Sequence, residues 1–404
     1  MKRHHTPETS VSKSYLQTAL ADYLPQLIEL RRHLHAHPEL SGKEYQTAAL
    51  VADKLSCDRW RVREGVGGGT GVLAELGPVG GPVVGLRVDM DALPVEEDTG
   101  LAYASHHRGV MHACGHDLHT CIGLGVGRLI AEADRIGNGL STRVRLLFQP
   151  AEELGQGARC MRDDGAVEDL VALFGVHVYP SLPVGTIGVR RGNLTAAAGE
   201  LEIEVIGESG HGARPHQAVD AIWIASRVIG GLQEAITRQL DALQPVVISF
   251  GRIEGGGSFN VIADRVRLLG TVRCLDKTTH DALPNWITKT VQSICRTYGG
   301  ETTIHYRPIA PPVYNDPALT DLLEHCAIDV LGAEHVKHLD HPSLGAEDFA
   351  EFLREARGTM FRLGVAGPEG CAPLHSCHFL PDERSLGVGV RVLTAALLAW
   401  IEHR

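Results

Sequence analysis

Between residues 106 and 119 the chain places His106, His107, His112, Cys114, His116, Asp117 and His119, seven side chains able to hold a metal, in fourteen positions. Cys114 and His116 are two residues apart and run into a helical pattern, so a thiolate favoured by the helix N-terminus and an imidazole could reach one ion. The second element is "LLFQPAEELGQGA", where an apolar run ends at Pro150 and two adjacent carboxylates follow, Glu152 and Glu153. Two such acids near a low-dielectric site repel unless a cation neutralises one. One can then ligate while the other, uncoordinated, acts as a base. His177 closes the apolar run "LFGVHV", and the loop "CAPLHSCHF" offers His375 and His378 as further imidazoles. Asp89 and Asp91 end a strand pattern on the same side by its period of two. They are open to two readings, as ligands or as acceptors that fix a histidine tautomer.

Several other chemistries lack their spacing: there is no G-x-x-x-x-G-K-[ST], no G-x-G-x-x-G, no G-x-S-x-G and no H-E-x-x-H. A net charge of -11, without a Lys/Arg block, argues against a nucleic-acid partner. Nine scattered cysteines with no Cys-x-x-Cys pair argue against a disulfide framework or a zinc ribbon, and Cys121 reads as a core residue. No apolar run is read as long enough for a membrane span, and the N-terminal "MKRHHTPETSVSKSYL" has charge but no apolar segment. The expectation is a cytoplasmic protein with no membrane partner.

The elements that must position these side chains follow from periodicity. With 404 residues, 44% hydrophobic, the chain exceeds what one hydrophobic core usually serves, so two domains are expected. Up to about residue 190, strand-like runs ("PVVGLRVDM", "RVRLLFQP", "LVALFGVHV") alternate with helical patterns ("DLHTCIGLGVGRLIAEADRI"), predicting an α/β domain with a mostly parallel sheet covered on both faces. From about Gly199 the order becomes β-α-β-β-α-β, which predicts an inserted ferredoxin-like α+β domain. After "PIAPPVYNDP" the α/β pattern resumes and closes on the helix "LGVGVRVLTAALLAWIEHR". The expected division is 1–194 and 309–404 for the first domain and 195–308 for the insert.

The series "RRHLHAHPELSGKE", "GGGTGVLAEL", "LRVDMDALP", "MHACGHDLH", "QPAEELGQGA", "GVHV", "SGHGARPH", "NVIADRVRLLGTVR", "GAEDFAEF" and "PLHSCHF" resembles the M20 metallopeptidase superfamily, in its amidohydrolase branch of N-acyl-amino-acid, hippurate and auxin-conjugate hydrolases. The resemblance runs from about Leu30 to the C-terminus. It implies a zinc-exopeptidase-like catalytic domain with a lid and dimerisation domain inserted. It also implies a dinuclear site held by Cys114, His116, Glu153, His177 and His375, with Glu152 as general base. Zn, Mn, Co or Ni would suit this mixed donor set. In relatives the smaller domain packs against its copy, and the residues matching His211 and Asn260 touch substrate. Departures are Ser209 and Gly212, where glycine and alanine are commoner, and Cys377, where proline often stands.

The expected reaction is therefore metal-assisted hydrolysis of a linear amide, with N-acyl amino acids as substrate class. His211 would stabilise the oxyanion, and Asn260 or Arg273 would meet the amino acid's carboxylate. A dipeptidase or aminopeptidase that recognises a free α-amine, and a non-catalytic metal-binding homologue, are the competing readings.

Overall fold

The computed structural model describes residues 13–137 and 139–403. The N-terminal stretch read as free of apolar segments lies outside them up to residue 12. The chain divides into two compact units: Met1–Gly192 with Tyr314–Asp340 and Glu351–Arg404, and Asn193–Val313 with His341–Ala350. The second unit is wider than the 195–308 expected from the pattern change and takes in a short stretch, His341–Ala350, from further along the chain.

In the first unit, strands rich in Val and Leu form one eight-stranded sheet in the order Arg61–Val66, Gly71–Leu76, Arg143–Gln149, Val83–Asp89, Leu170–Pro183, Gly358–Ala366, Ile187–Val189, Val336–His338. Its four central strands are mutually parallel; antiparallel pairing occurs towards the edges. Val83–Asp89 is buried along its whole length, as a strand covered on both faces must be. The helix His116–Ile136 is buried at nearly every position and packs among the helices Lys13–Ala36, Tyr45–Ser56 and Ser385–Glu402. The helix Ser385–Glu402 is 18 residues long and apolar enough in composition to cross a membrane. Its Leu386, Val390, Leu393 and Leu397 are fully buried in the domain core, which is where that apolarity is used.

The second unit carries a four-stranded antiparallel sheet, ordered Val246–Gly255, Arg265–Cys274, Ala197–Ile206, Glu301–Ala310. The helices Ala221–Gln239 and Lys277–Thr297 cover one face, giving the ferredoxin-like arrangement. Strict alternation in "ELEIEVI" sends Leu201, Ile203 and Val205 into that core. The outward Glu200, Glu202 and Glu204 pair across strands with Arg307, Arg267 and Arg265. Asp220 and Asp276 start the two helices by accepting from Trp223 and Thr279 backbone N–H groups.

Candidate metal centre

The site of the first unit assembles at the carboxyl ends of the central parallel strands, where open α/β sheets collect ligands. Val83–Asp89 delivers Asp89 and, just beyond, Asp91; Arg143–Gln149 delivers Glu152 and Glu153; Leu170–Pro183 delivers His177. Cys114 lies immediately before the helix His116–Ile136, whose N-cap is Gly115 in the left-handed conformation, φ 79°. A Cβ there would meet Val178 Cγ2 at 2.8 Å. Both the turn and the close approach to the sheet therefore require glycine. His375 is itself left-handed, φ 66°. That is a strained geometry for a residue with a side chain.

These elements bring the five expected ligands into overlapping groups. Ligand atoms of Cys114, His116 and His177 lie within 4.8 Å of one another, as do those of Cys114, Glu153 and His375, and those of His116, Glu152 and Glu153. Cys114 Sγ is 3.5 Å from His177 Nε2, and Glu153 Oε1 is 3.9 Å from His116 Nε2 and 3.4 Å from His375 Nε2. His177 donates from Nδ1 to the Val178 carbonyl at 2.9 Å, which leaves the lone pair on Nε2. His116 Nδ1 faces Asp91 Oδ1 at 3.1 Å, which turns its Nε2 towards the group. His116 Nε2 and Glu153 Oε1 are buried and make no hydrogen bond among the described residues. Leaving such atoms unsatisfied costs about 1–3 kcal/mol each. A cation between them removes that cost, and the thiol, imidazole and carboxylate set suits a divalent transition metal.

The electrostatics of the protein alone hold only His177 in the neutral form a ligand needs, and they correct one expectation. Burial opposes charge on His116, but the neighbouring Asp89 carboxylate overrides it and raises the imidazole well above its usual range. Burial pushes His177 well below that range, keeping it neutral. The expectation that the helix N-terminus makes Cys114 a thiolate fails for the protein alone, because burial pushes this thiol well above its ordinary value. Only a bound cation would reverse that. His375, half exposed, is raised by the Glu153 carboxylate it faces.

The two aspartates left open by their spacing act as supports. Asp91 Oδ2 accepts from the Ser41 hydroxyl at 2.6 Å and from Glu153 N–H at 3.1 Å, while its Oδ1 faces His116. Burial would raise its carboxyl, yet these partners hold it below the usual value. Asp89 accepts from His119 Nδ1 at 2.6 Å, and His119 Nε2 in turn accepts from Val178 N–H. Both nitrogens of His119 are thereby engaged. His378, offered by its loop as an equal of His375, faces away: its Nδ1 meets the Asp98 carbonyl at 2.6 Å. Sequence reasoning missed Ser41, the buried Glu44, which accepts from Ala151 N–H, and the buried ion pair of Arg31 with Asp117. Their signal was "RRHLHAHPELSGKE" and the Asp of "CGHD", which carry more polar residues than a surface helix and turn need.

In the second unit, His211 and Asn260 come together on a small antiparallel ribbon. His211 pairs with Val261, and Gly212 N–H donates to the Asn260 carbonyl at 2.9 Å. His211 Nδ1 accepts from Ala213 N–H at 3.1 Å, so a neutral ring carries its proton on Nε2, which is available as a donor. Arg273 lies on Arg265–Cys274, with Nη1 donating to Thr271 Oγ1 and to the Val272 carbonyl. Burial lowers its pKa below the ordinary arginine value.

The family model of peptidase family M20/M25/M40 matches residues 85–399. A thermostable carboxypeptidase of Saccharolobus solfataricus is 38% identical over 92% of this chain and 94% of its own length. An N-acetyl-L-cysteine deacetylase of Bacillus subtilis is 38% identical over 89% of this chain and 85% of its own. Among solved structures, a dinuclear metal-binding M20 peptidase of Bacillus subtilis superposes with a TM-score of 0.81 at 33% identity, covering 95% of this chain and 99% of that one.

Proposed function

Since the chain belongs to the peptidase family M20/M25/M40 and is a hydrolase of that family, we propose that it cleaves the amide bond of N-acyl amino acids. Cys114, His116, Glu153, His177 and His375 would hold two divalent ions. When bound, these supply Lewis acidity that activates water and polarises the scissile carbonyl. Glu152 receives the proton of the attacking water and returns it to the leaving amine. The Nε2–H of His211 donates to the oxygen that becomes negative, and Asn260 and Arg273 meet the substrate carboxylate. The observation that carries the reading is a second carboxylate beside the ligands: a Glu152 oxygen lies within 4.8 Å of the ligand atoms of His116 and Glu153.

A homodimer through the inserted domain is part of the proposal. The strand Val246–Gly255 is a sheet edge with Val247 and Ile253 exposed, and Phe259 nearby in sequence is fully exposed. A cytoplasmic setting is consistent with nine free cysteines. The test is a panel of acyl groups on each amino acid, offered to the metal-reconstituted protein and to Glu152→Gln, with amine release as readout. Faster release from N-acyl amino acids than from free dipeptides, abolished in Glu152→Gln at unchanged metal content, is the expected result. Preference for a free α-amine would overturn the substrate class, and an active Glu152→Gln would overturn the base.

A further inference from the structure

The motif "HPELSGKE" is a sequence feature that the hydrolytic reading leaves without a task beyond Ser41. Glu44, fully buried, sits where the helix Tyr45–Ser56 begins. Its Oε1 accepts from Gly42 N–H at 2.8 Å and, across 107 residues of sequence, from Ala151 N–H at 2.9 Å. Its Oε2 accepts from the buried Thr70 hydroxyl at 2.6 Å. Ala151 immediately precedes Glu152 and has φ 49°. That is the left-handed region, which side chains other than glycine's rarely adopt. Three residues before Glu44, Ser41 reaches the same turn indirectly, since Asp91 Oδ2 accepts from both Ser41 and Glu153 N–H. On its far side the turn is closed by Gly157, where an added Cβ would lie 1.6 Å from the Pro150 carbonyl oxygen.

We infer that Glu44 is a positioning residue, whose carboxylate holds Ala151 in its strained conformation and so aims Glu152 and Glu153 into the site. A left-handed alanine is disfavoured by about 1–2 kcal/mol, and the acceptor on the Ala151 N–H offsets that at this residue, beside the bonds of Glu153 N–H to Asp91 and of Gly155 N–H to the Glu152 carbonyl. Released, the backbone would rotate at the residue before Glu152. Burial pushes the Glu44 carboxyl above its usual value in spite of its donors, and what the turn meets is the acceptor geometry of Oε1. Glutamine supplies that geometry: its oxygen can accept from Gly42 and Ala151 while its amide donates to Thr70.

The inference rests on Glu152 being the base, and the experiment separates the two. In the metal-reconstituted full chain, Glu44→Ala is expected to lower kcat by about 10- to 100-fold, the size of effect a displacement of about 1 Å produces, with KM and metal content near wild type. Hydrogen exchange across 149–156 should rise sharply. Glu44→Gln should keep most of kcat and the wild-type exchange. Adding Ala151→Gly to Glu44→Ala should recover part of kcat, because glycine adopts the left-handed conformation without strain. Wild-type kcat in Glu44→Ala, or unchanged exchange at 149–156, overturns the inference, provided Glu152→Gln is inactive. If Glu152→Gln is active the base assignment fails, and the exchange measurement then decides by itself whether Glu44 holds the turn. Should Glu44→Ala not fold, Glu44→Leu with Thr70→Val, which removes the polar pair together, carries the same expectations.

Discussion

Arg31→Met tests how the start of the central helix is held. Arg31 Nε lies 2.9 Å from Asp117 Oδ2, and both side chains are completely excluded from solvent. Asp117 keeps two other donors, His35 Nδ1 at 2.8 Å and Leu118 N–H at 2.9 Å. Removing one partner of a buried ion pair costs about 3–5 kcal/mol, because the other charge is left without compensation. With two donors retained, the lower end applies, so about 3 kcal/mol is expected, a little over 100-fold in the folded-to-unfolded ratio. For a catalytic unit of this size that is a fall in Tm of about 6 °C. The outer contacts of Arg31 to Tyr103 and Glu383, the latter part-exposed, add little. The measurement is thermal melting of wild type, Arg31→Met, Asp117→Leu and the double variant at pH 7. The double variant should melt well above the level expected from adding the two single losses, since no buried charge remains uncompensated. An Arg31→Met melt within about 1 °C of wild type, or strictly additive losses, would refute the reasoning.

Four further outcomes are expected. Asp91→Asn should weaken metal binding by about 10- to 100-fold while leaving every ligand in place, because it loosens the orientation of His116; titration with a chelator reads this directly. Metal loading should protect Cys114 from alkylation, and equal labelling of loaded and metal-stripped protein would remove it from the donor set. His211→Ala should lower kcat with metal content unchanged, and by far more than His216→Ala; equal effects would reduce "SGHGARPH" to a turn. Finally, burial lowers the His35 pKa, but Asp117 and Glu97 outweigh it and the net shift is upward, with the Arg31 charge opposing. Its contribution to stability is therefore full below about pH 6.5 and lost as pH rises through the raised value. The Tm difference between wild type and His35→Gln should shrink from pH 6 to pH 9, and a growing difference would contradict the assignment.

What the linear chain determined is what depends on local pattern. Period-two and period-3.6 spacing of apolar residues decided the order of strands and helices, because each element must bury one face whatever it packs against. The β-α-β-β-α-β run could be read for the same reason, and the residue types near Cys114, Glu152 and His375 named the chemistry. Tertiary structure decided which members of each local set meet. His375 and His378 are equal in sequence, yet only the left-handed backbone at His375 turns its ring to Glu153. His119 stands one helical turn from His116 but is taken up by Asp89 and by Val178 N–H. Cys114 was expected to ionise at a helix N-terminus, and in the protein alone burial opposes that, since desolvation is set by atoms distant in sequence. Glu44 shows the same limit most plainly. Its bond to Ala151 spans 107 residues and follows no period, so only the folding of one loop onto another could reveal what it holds.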